Sequence, residues 1–191
     1  NTVRAAELPA AYQEVSYVDS TGAEWIDTGV VNKETYQLEF KFAVLTLSSY
    51  KCPLDSYVDS QSNFTRITPN NGDKKAWFVS FMSKSSTVFS GVTSAAGNVV
   101  EGYVNIGHAK LNTVENDLTR TVGEDETSTL KLFGRSGSAT ATRIYYFRIL
   151  EGDELKHNYV PCYKRDASGE VGLYDTVEGK FLGNDSGSGA L

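Results

Sequence analysis

Thr35-Tyr36-Gln37-Leu38-Glu39-Phe40-Lys41-Phe42-Ala43-Val44-Leu45-Thr46 decides the fold. Tyr36, Leu38, Phe40, Phe42 and Val44 occupy alternate positions, with Gln37, Glu39, Lys41 and Ala43 between them. Successive side chains of an extended chain point to opposite faces, so this spacing makes a strand with one buried and one wet face. Working outward, Val100, Gly102, Val104 and Ile106 alternate with Glu101, Tyr103 and Asn105, and Leu130 and Leu132 flank Lys131. Both runs read as half-buried strands. Residues 143–150 (Arg-Ile-Tyr-Tyr-Phe-Arg-Ile-Leu) are apolar on both faces, which predicts a central strand covered on each side.

Shorter strand candidates are residues 14–18, 25–28, 64–67, 76–82, 88–92 and 171–174. Turn formers separate the runs at short intervals: Ser20-Thr21-Gly22, Asn70-Asn71-Gly72-Asp73, Ala96-Gly97-Asn98, Ser136-Gly137-Ser138, Ala167-Ser168-Gly169 and Glu178-Gly179. No stretch sustains helical apolar spacing for three turns, so βαβ architecture is excluded. This many strands cannot make one flat sheet, and an all-β, two-sheet antiparallel jelly-roll sandwich follows. The expected organisation is one domain over residues 1–191, with residues 1–7 and 185–191 as flexible ends.

The composition, with 17 glycines and 11 tyrosines in 191 residues, suits strands and turns. The formal charge of -6 carries no basic stripe to follow a phosphate backbone, so nucleic acid is excluded as a partner. No apolar run is long enough to cross a bilayer as a helix, so membrane insertion is not expected. The chain begins Asn1-Thr2-Val3, the expected mark of a processed end with the signal peptide gone and a cell-surface or extracellular destination. Cys52 and Cys162 lack zinc-site spacing and either close one long disulfide or stand as two buried free thiols.

Two segments carry a resemblance. Leu8-Pro9 with residues 12–29 (Tyr-Gln-Glu-Val-Ser-Tyr-Val-Asp-Ser-Thr-Gly-Ala-Glu-Trp-Ile-Asp-Thr-Gly) is similar to a recurrent opening of bacterial cell-surface domains. Residues 144–149, Tyr159-Val160-Pro161-Cys162, Glu170-Val171-Gly172-Leu173-Tyr174-Asp175, Lys180-Phe181 and Asn184 resemble the closing part of the same domains. The resemblance is to the bacterial laminin-G-like group within the concanavalin A-like lectin and glucanase superfamily. It implies a jelly roll in a modular surface protein and attaches no catalytic residue to these motifs. Trp25 and Glu24 depart from the Tyr and Gln common in that opening. Ser20-Thr21-Gly22 is expected to turn the chain so that Trp25 and Ile26 re-enter the core, and Gly172-Leu173-Tyr174-Asp175 to seal one end of the sandwich.

Glycan-cleaving chemistry on this fold needs two carboxylates about 5 Å apart on a Glu-x-Asp-x-x-Glu strand. Glu115-Asn116-Asp117-Leu118-Thr119-Arg120 is the nearest approach, and Arg120 stands where the second glutamate belongs. A lyase reading on His108 lacks the surrounding pattern, and His157, like it, is read as a surface or hydrogen-bonded structural residue. Gly183 to Gly189 is a linker signature rather than a nucleophile elbow. Glu124-Asp125-Glu126 reads as a solvated turn. The chain is accordingly expected not to be an enzyme and to require no cofactor.

Sugar binding asks less: exposed aromatic faces and a few amides or carboxylates. Trp77, Tyr50, Tyr57 and Tyr103 are the ligand-binding candidates in the unmatched middle, with core the preferred reading of Trp77. Asp55 and Asp59 near Tyr57 are weak candidates for a rim calcium, with plain solvation the preferred reading. The expected function is a carbohydrate-binding or spacer module. The alternatives are a protein-binding adhesion module or a glucanase or lyase on the same fold.

Overall fold

A computed structural model describes residues 7–47, 51–69, 76–187 and 191. Sixteen strands make up its regular structure, and no helix occurs among the described residues. In chain order they are β1 (Tyr12–Glu14), β2 (Val18–Asp19), β3 (Ile26–Val31), β4 (Tyr36–Val44), β5 (Leu54–Asp55), β6 (Phe64–Pro69), β7 (Trp77–Ser83) and β8 (Thr87–Phe89). There follow β9 (Val99–Asn105), β10 (His108–Leu111), β11 (Val114–Asp117), β12 (Thr129–Leu132), β13 (Thr142–Glu151), β14 (Glu154–Lys164), β15 (Val171–Asp175) and β16 (Lys180–Leu182). The turn formers at 20–22, 96–98, 136–138, 167–169 and 178–179 all fall between strands. The one at 70–73 lies outside the described residues.

The larger sheet has ten strands, eight of them in the order β11, β10, β9, β4, β13, β14, β15, β16. β1 pairs with β14, and β2 with β13. The smaller sheet runs β3, β12, β5, β6, β7, β8. All strand pairings are antiparallel, which makes the chain a two-sheet sandwich. The opening and closing segments meet in the larger sheet, where the Tyr12 ring packs 4.7 Å from that of Tyr174 and 5.5 Å from that of Phe181.

The core lies between the sheets. Leu38, Phe40, Phe42 and Val44 of β4 and Ile144, Phe147 and Ile149 of β13 face Ile67, Trp77, Val79 and Phe81 of the smaller sheet in one apolar cluster. The Phe42 and Trp77 rings touch across the layers at 5.7 Å between centroids. Burying a side chain the size of Phe40 stabilises by roughly 2–3 kcal/mol, which is why the alternation of residues 35–46 governs the fold. Trp77 is therefore a core residue, and its ligand-binding candidacy is corrected: the ring is fully buried. Ile26 enters the core as expected, whereas Trp25 remains half-buried beside it.

β13 also corrects an expectation. It is central in its sheet, but only one of its faces is covered. The register against β4 slips between Ile144 and Tyr146, so Tyr145 is an extra residue that the partner strand does not match. A β-bulge of this kind shifts the in-out alternation by one step. Ile144 and Phe147 both point inward, while Tyr145, Tyr146 and Arg148 stay half-exposed. What resembled a doubly buried strand is one apolar face carried across a bulge.

Both cysteines are buried thiols with no disulfide between them, Cys52 ahead of β5 in the smaller sheet and Cys162 in β14 of the larger. The disulfide alternative is thereby set aside. Burial pushes each thiol up to about 12, so both stay protonated and unreactive.

Candidate functional site

The outer face of the larger sheet gathers side chains that the sequence scatters. Glu39 of β4 lies opposite Tyr103 of β9 on one side and Arg148 of β13 on the other. Tyr103 in turn lies opposite Lys110 of β10, and Lys110 opposite Glu115 of β11. One step along, Lys41 lies opposite both Glu101 and Tyr146. Two rows of polar and aromatic groups thus cross the sheet perpendicular to its strands.

Between the rows is an open depression of about 450 Å³, lined by Glu39, Glu101, Tyr103, Lys110, Asn112 and Tyr146. Gly102 at its floor lets β9 and β10 approach closely. A Cβ there would sit 1.8 Å from the Lys110 carbonyl oxygen, a clash with backbone that cannot swing aside. Asn112 forms the rim at φ 56°, a left-handed conformation that asparagine tolerates. Its backbone amide donates to the Glu101 carbonyl at 2.7 Å, and its Oδ1 accepts from the Glu101 amide at 2.9 Å, tying the β10–β11 turn to β9. Asn112 and Thr113 also border a neighbouring depression of about 280 Å³.

The charges on this face neutralise one another. Lys41 Nζ lies 3.0 Å from Glu101, and Lys110 Nζ 2.9 Å from Glu115. Arg148 donates to Asn158 Oδ1 at 3.1 Å, stands 4.0 Å from Glu39 and covers the Tyr146 ring at 4.8 Å. The Tyr146 hydroxyl donates to Glu101 at 3.1 Å. The Lys41 ammonium, helped by that hydroxyl, holds the Glu101 carboxyl below the usual range, so it is a carboxylate at neutral pH. Partial burial beside the same carboxylate pushes the Tyr146 phenol up to about 12, so it remains a hydrogen-bond donor. Arg143 continues the strip: Asp19 holds it through two bonds of 2.8 Å, it covers the Tyr17 ring at 3.6 Å, and Tyr145 packs against Tyr17 at 6.0 Å.

Half-exposed rings beside fixed donors and acceptors can stack against a sugar or peptide and read its polar groups. General acid chemistry needs a carboxyl that retains its proton, and Glu101 does not. No family model, curated protein or solved structure matches this chain.

Of the ligand-binding candidates, Tyr103 alone falls in this depression. Tyr50 lies outside the described residues. Tyr57 belongs to the other sheet, flanked by the guanidiniums of Arg66 at 4.6 Å and Arg135 at 5.1 Å. The calcium candidacy of Asp55 is corrected: its carboxylate is fully buried and accepts from Arg66, Arg135, the Ser138 hydroxyl and the Tyr57 amide. Asp59 spends one oxygen on the amides of Gln61 and Ser62, as a turn former does. No group of three or more metal-ligating side chains occurs among the described residues.

Glu115 and Asp117 sit on β11 at the sheet edge, 3.7 Å and 3.2 Å from His108, in an exposed pairing and not a cleft. His157 is half-buried and held 2.7 Å from Asp175, whose other oxygen caps the turn before β16, the hydrogen-bonded alternative of the two readings. Glu126 departs most from expectation: Glu124 and Asp125 are exposed as a solvated turn requires, but Glu126 turns inward and is 5% exposed. Glu39, Glu101, Lys110, Asn112 and Tyr146 went unmarked in the sequence because only strand register brings them together. The alternating charges of residues 37–41 and 101–105 marked a wet face without showing that the two runs adjoin.

Proposed function

We propose that the chain is a non-catalytic carbohydrate-binding module of a bacterial surface or secreted protein, a jelly roll of the laminin-G or concanavalin type. The opening and closing motifs support the family and the location. One observation carries the binding: Tyr103 and Tyr146 stand half-exposed over a groove whose every cation is already matched to a carboxylate or amide. With Lys41, Lys110 and Arg148 all engaged, the groove holds no spare positive charge for a uronate or sulfate. Its ligand is a neutral glycan, stacked on the rings and hydrogen-bonded by Glu39, Asn112 and Tyr146. Engagement of both groove carboxylates likewise favours binding over hydrolysis.

Calorimetric titration with neutral and acidic oligosaccharides tests this. Neutral chains should bind, and Tyr146→Ala and Tyr103→Ala should each weaken them about tenfold, roughly 1.4 kcal/mol, in a protein that still unfolds cooperatively. Absence of binding to every glycan by the folded chain would sink the reading. A protein-binding adhesion module is the second reading, favoured by a shallow depression of about 480 Å³ lined by Val15, Ser16, Tyr17 and Val171. Under that reading Tyr17→Ala, not Tyr146→Ala, abolishes the interaction.

A further inference from the structure

Residues 118–128 form a strap across the end of the β6–β7 hairpin. The Thr121 amide donates to Ser83 Oγ at 3.0 Å, the Gly123 amide to Asn63 Oδ1 at 2.7 Å and the Asn63 amide to the Glu124 carbonyl at 2.7 Å. Arg120 reaches the Met82 carbonyl at 2.9 Å and Glu34 at 2.6 Å. The strap lies so close that a Cβ on Gly123 would stand 2.2 Å from the Gln61 carbonyl oxygen.

Beneath it, Glu126 Oε2 accepts from the Thr65 hydroxyl at 3.0 Å. The same hydroxyl oxygen accepts from Asn32 Nδ2 at 2.7 Å and from the Met82 amide at 3.2 Å. One proton and two lone pairs are then spent, and Thr65 has nothing further to give. Two buried acceptors flank it without a donor among the described residues: Glu126 Oε1 and Asn32 Oδ1. A buried acceptor left unmade costs free energy, and a buried carboxylate without a cation costs more. A proton on Oε1 removes the charge and turns one orphan acceptor into a donor.

We propose that Glu126 is a proton-operated latch: protonated, it seats the strap on the end of the sandwich, and on losing its proton it releases the strap. Among the described residues the neighbouring groups supply no counter-charge. From β5, Asp55 is the charge that bears on Glu126, and it opposes ionisation, its own carboxylate being committed to Arg66 and Arg135. Ser56 stands near enough to ease the ionised form, yet its hydroxyl donates to the Thr65 carbonyl at 3.2 Å. Beyond β3, Asn32 is neutral and Glu34 is bound by Arg120. On the strap itself Glu124 and Asp125 are exposed. Burial first, then the Asp55 charge, pushes the carboxyl up to about 7.

The sign follows from the unfolded value of 4.5. Below it both states hold the proton and the group is silent. Between 4.5 and about 7 the unfolded chain alone releases it, so the folding equilibrium moves toward unfolding as pH rises, and above about 7 the loss is complete. The whole step amounts to roughly two orders of magnitude in the folding constant between pH 4 and pH 8.

Urea unfolding of the full chain and of Glu126→Gln from pH 4 to pH 8, with amide exchange followed on the folded wild type, tests the latch. The wild type should lose about 10²-fold in folding constant relative to the Gln variant, and exchange along residues 119–127 should quicken with pH beyond the intrinsic chemical rate. Parallel pH profiles for the two proteins would overturn the proposal. So would restoration of the wild type alone by calcium or sodium at pH 8, which would make the pair of oxygens a cation site. Should the Gln variant not fold, the wild-type exchange profile decides: a uniform pH response across the chain overturns the latch, and a response confined to the strap supports it.

Discussion

The outer faces of the two sheets use the same chemistry to opposite ends. On the smaller sheet, Asp55, Arg66, Arg135 and Tyr57 close on themselves: the carboxylate is fully buried, and two guanidiniums reach it within 3.1 Å and cover the tyrosine. On the larger sheet, Glu39, Glu101, Arg148 and Tyr146 meet at an open depression, with the Glu101 side chain 52% exposed. A carboxylate, an arginine and a tyrosine therefore do not by themselves make a site. An accessible ring beside an open depression is needed as well, and of these two clusters only the one on the larger sheet has it.

Mutation can break that contrast. The largest effect is expected from Asp55→Ala, which strands two arginines, one of them with only 15% of its side chain exposed. Partial rehydration of Arg135 keeps the loss to about 3 kcal/mol in denaturant unfolding, with glycan affinity untouched. Tyr57→Ala removes the surface on which both guanidiniums and the Phe64 ring rest, the latter at 5.2 Å, and should cost about 1–2 kcal/mol of stability, again with binding unchanged. A loss of binding in either variant would erase the distinction between the faces. Glu101→Gln should be the mildest: its ion pair is exposed, so the unfolding midpoint should hardly move, while affinity for a neutral glycan falls by a few-fold as the Lys41 and Tyr146 positions loosen.

Legibility from sequence followed the same divide between what is local and what is assembled. Residues 35–46 announced their strand because a single face is buried and the two-residue period is unbroken. β14, the longest strand at 11 residues, did not, because Glu154–Lys164 mixes charge, amide and ring without alternation and carries Pro161, which argues against a strand between two partners. Its neighbours β13 and β15 override that preference. Trp77 and Asp55 could not be placed from their types alone, since a ring or a carboxylate is equally at home in a core and on a rim. The groove was hidden because Glu39, Tyr103, Lys110 and Arg148 come from four strands and register, not spacing, makes them neighbours.

The bulge at Tyr145 has an evolutionary corollary. One added residue widens the display surface while the packing layer keeps every contact, for Ile144 and Phe147 bracket it and both still point inward. Side chains at positions 145 and 146 can therefore change under little constraint from folding. A deletion of either position would restore an unbroken ladder and discard an aromatic from the display in the same step.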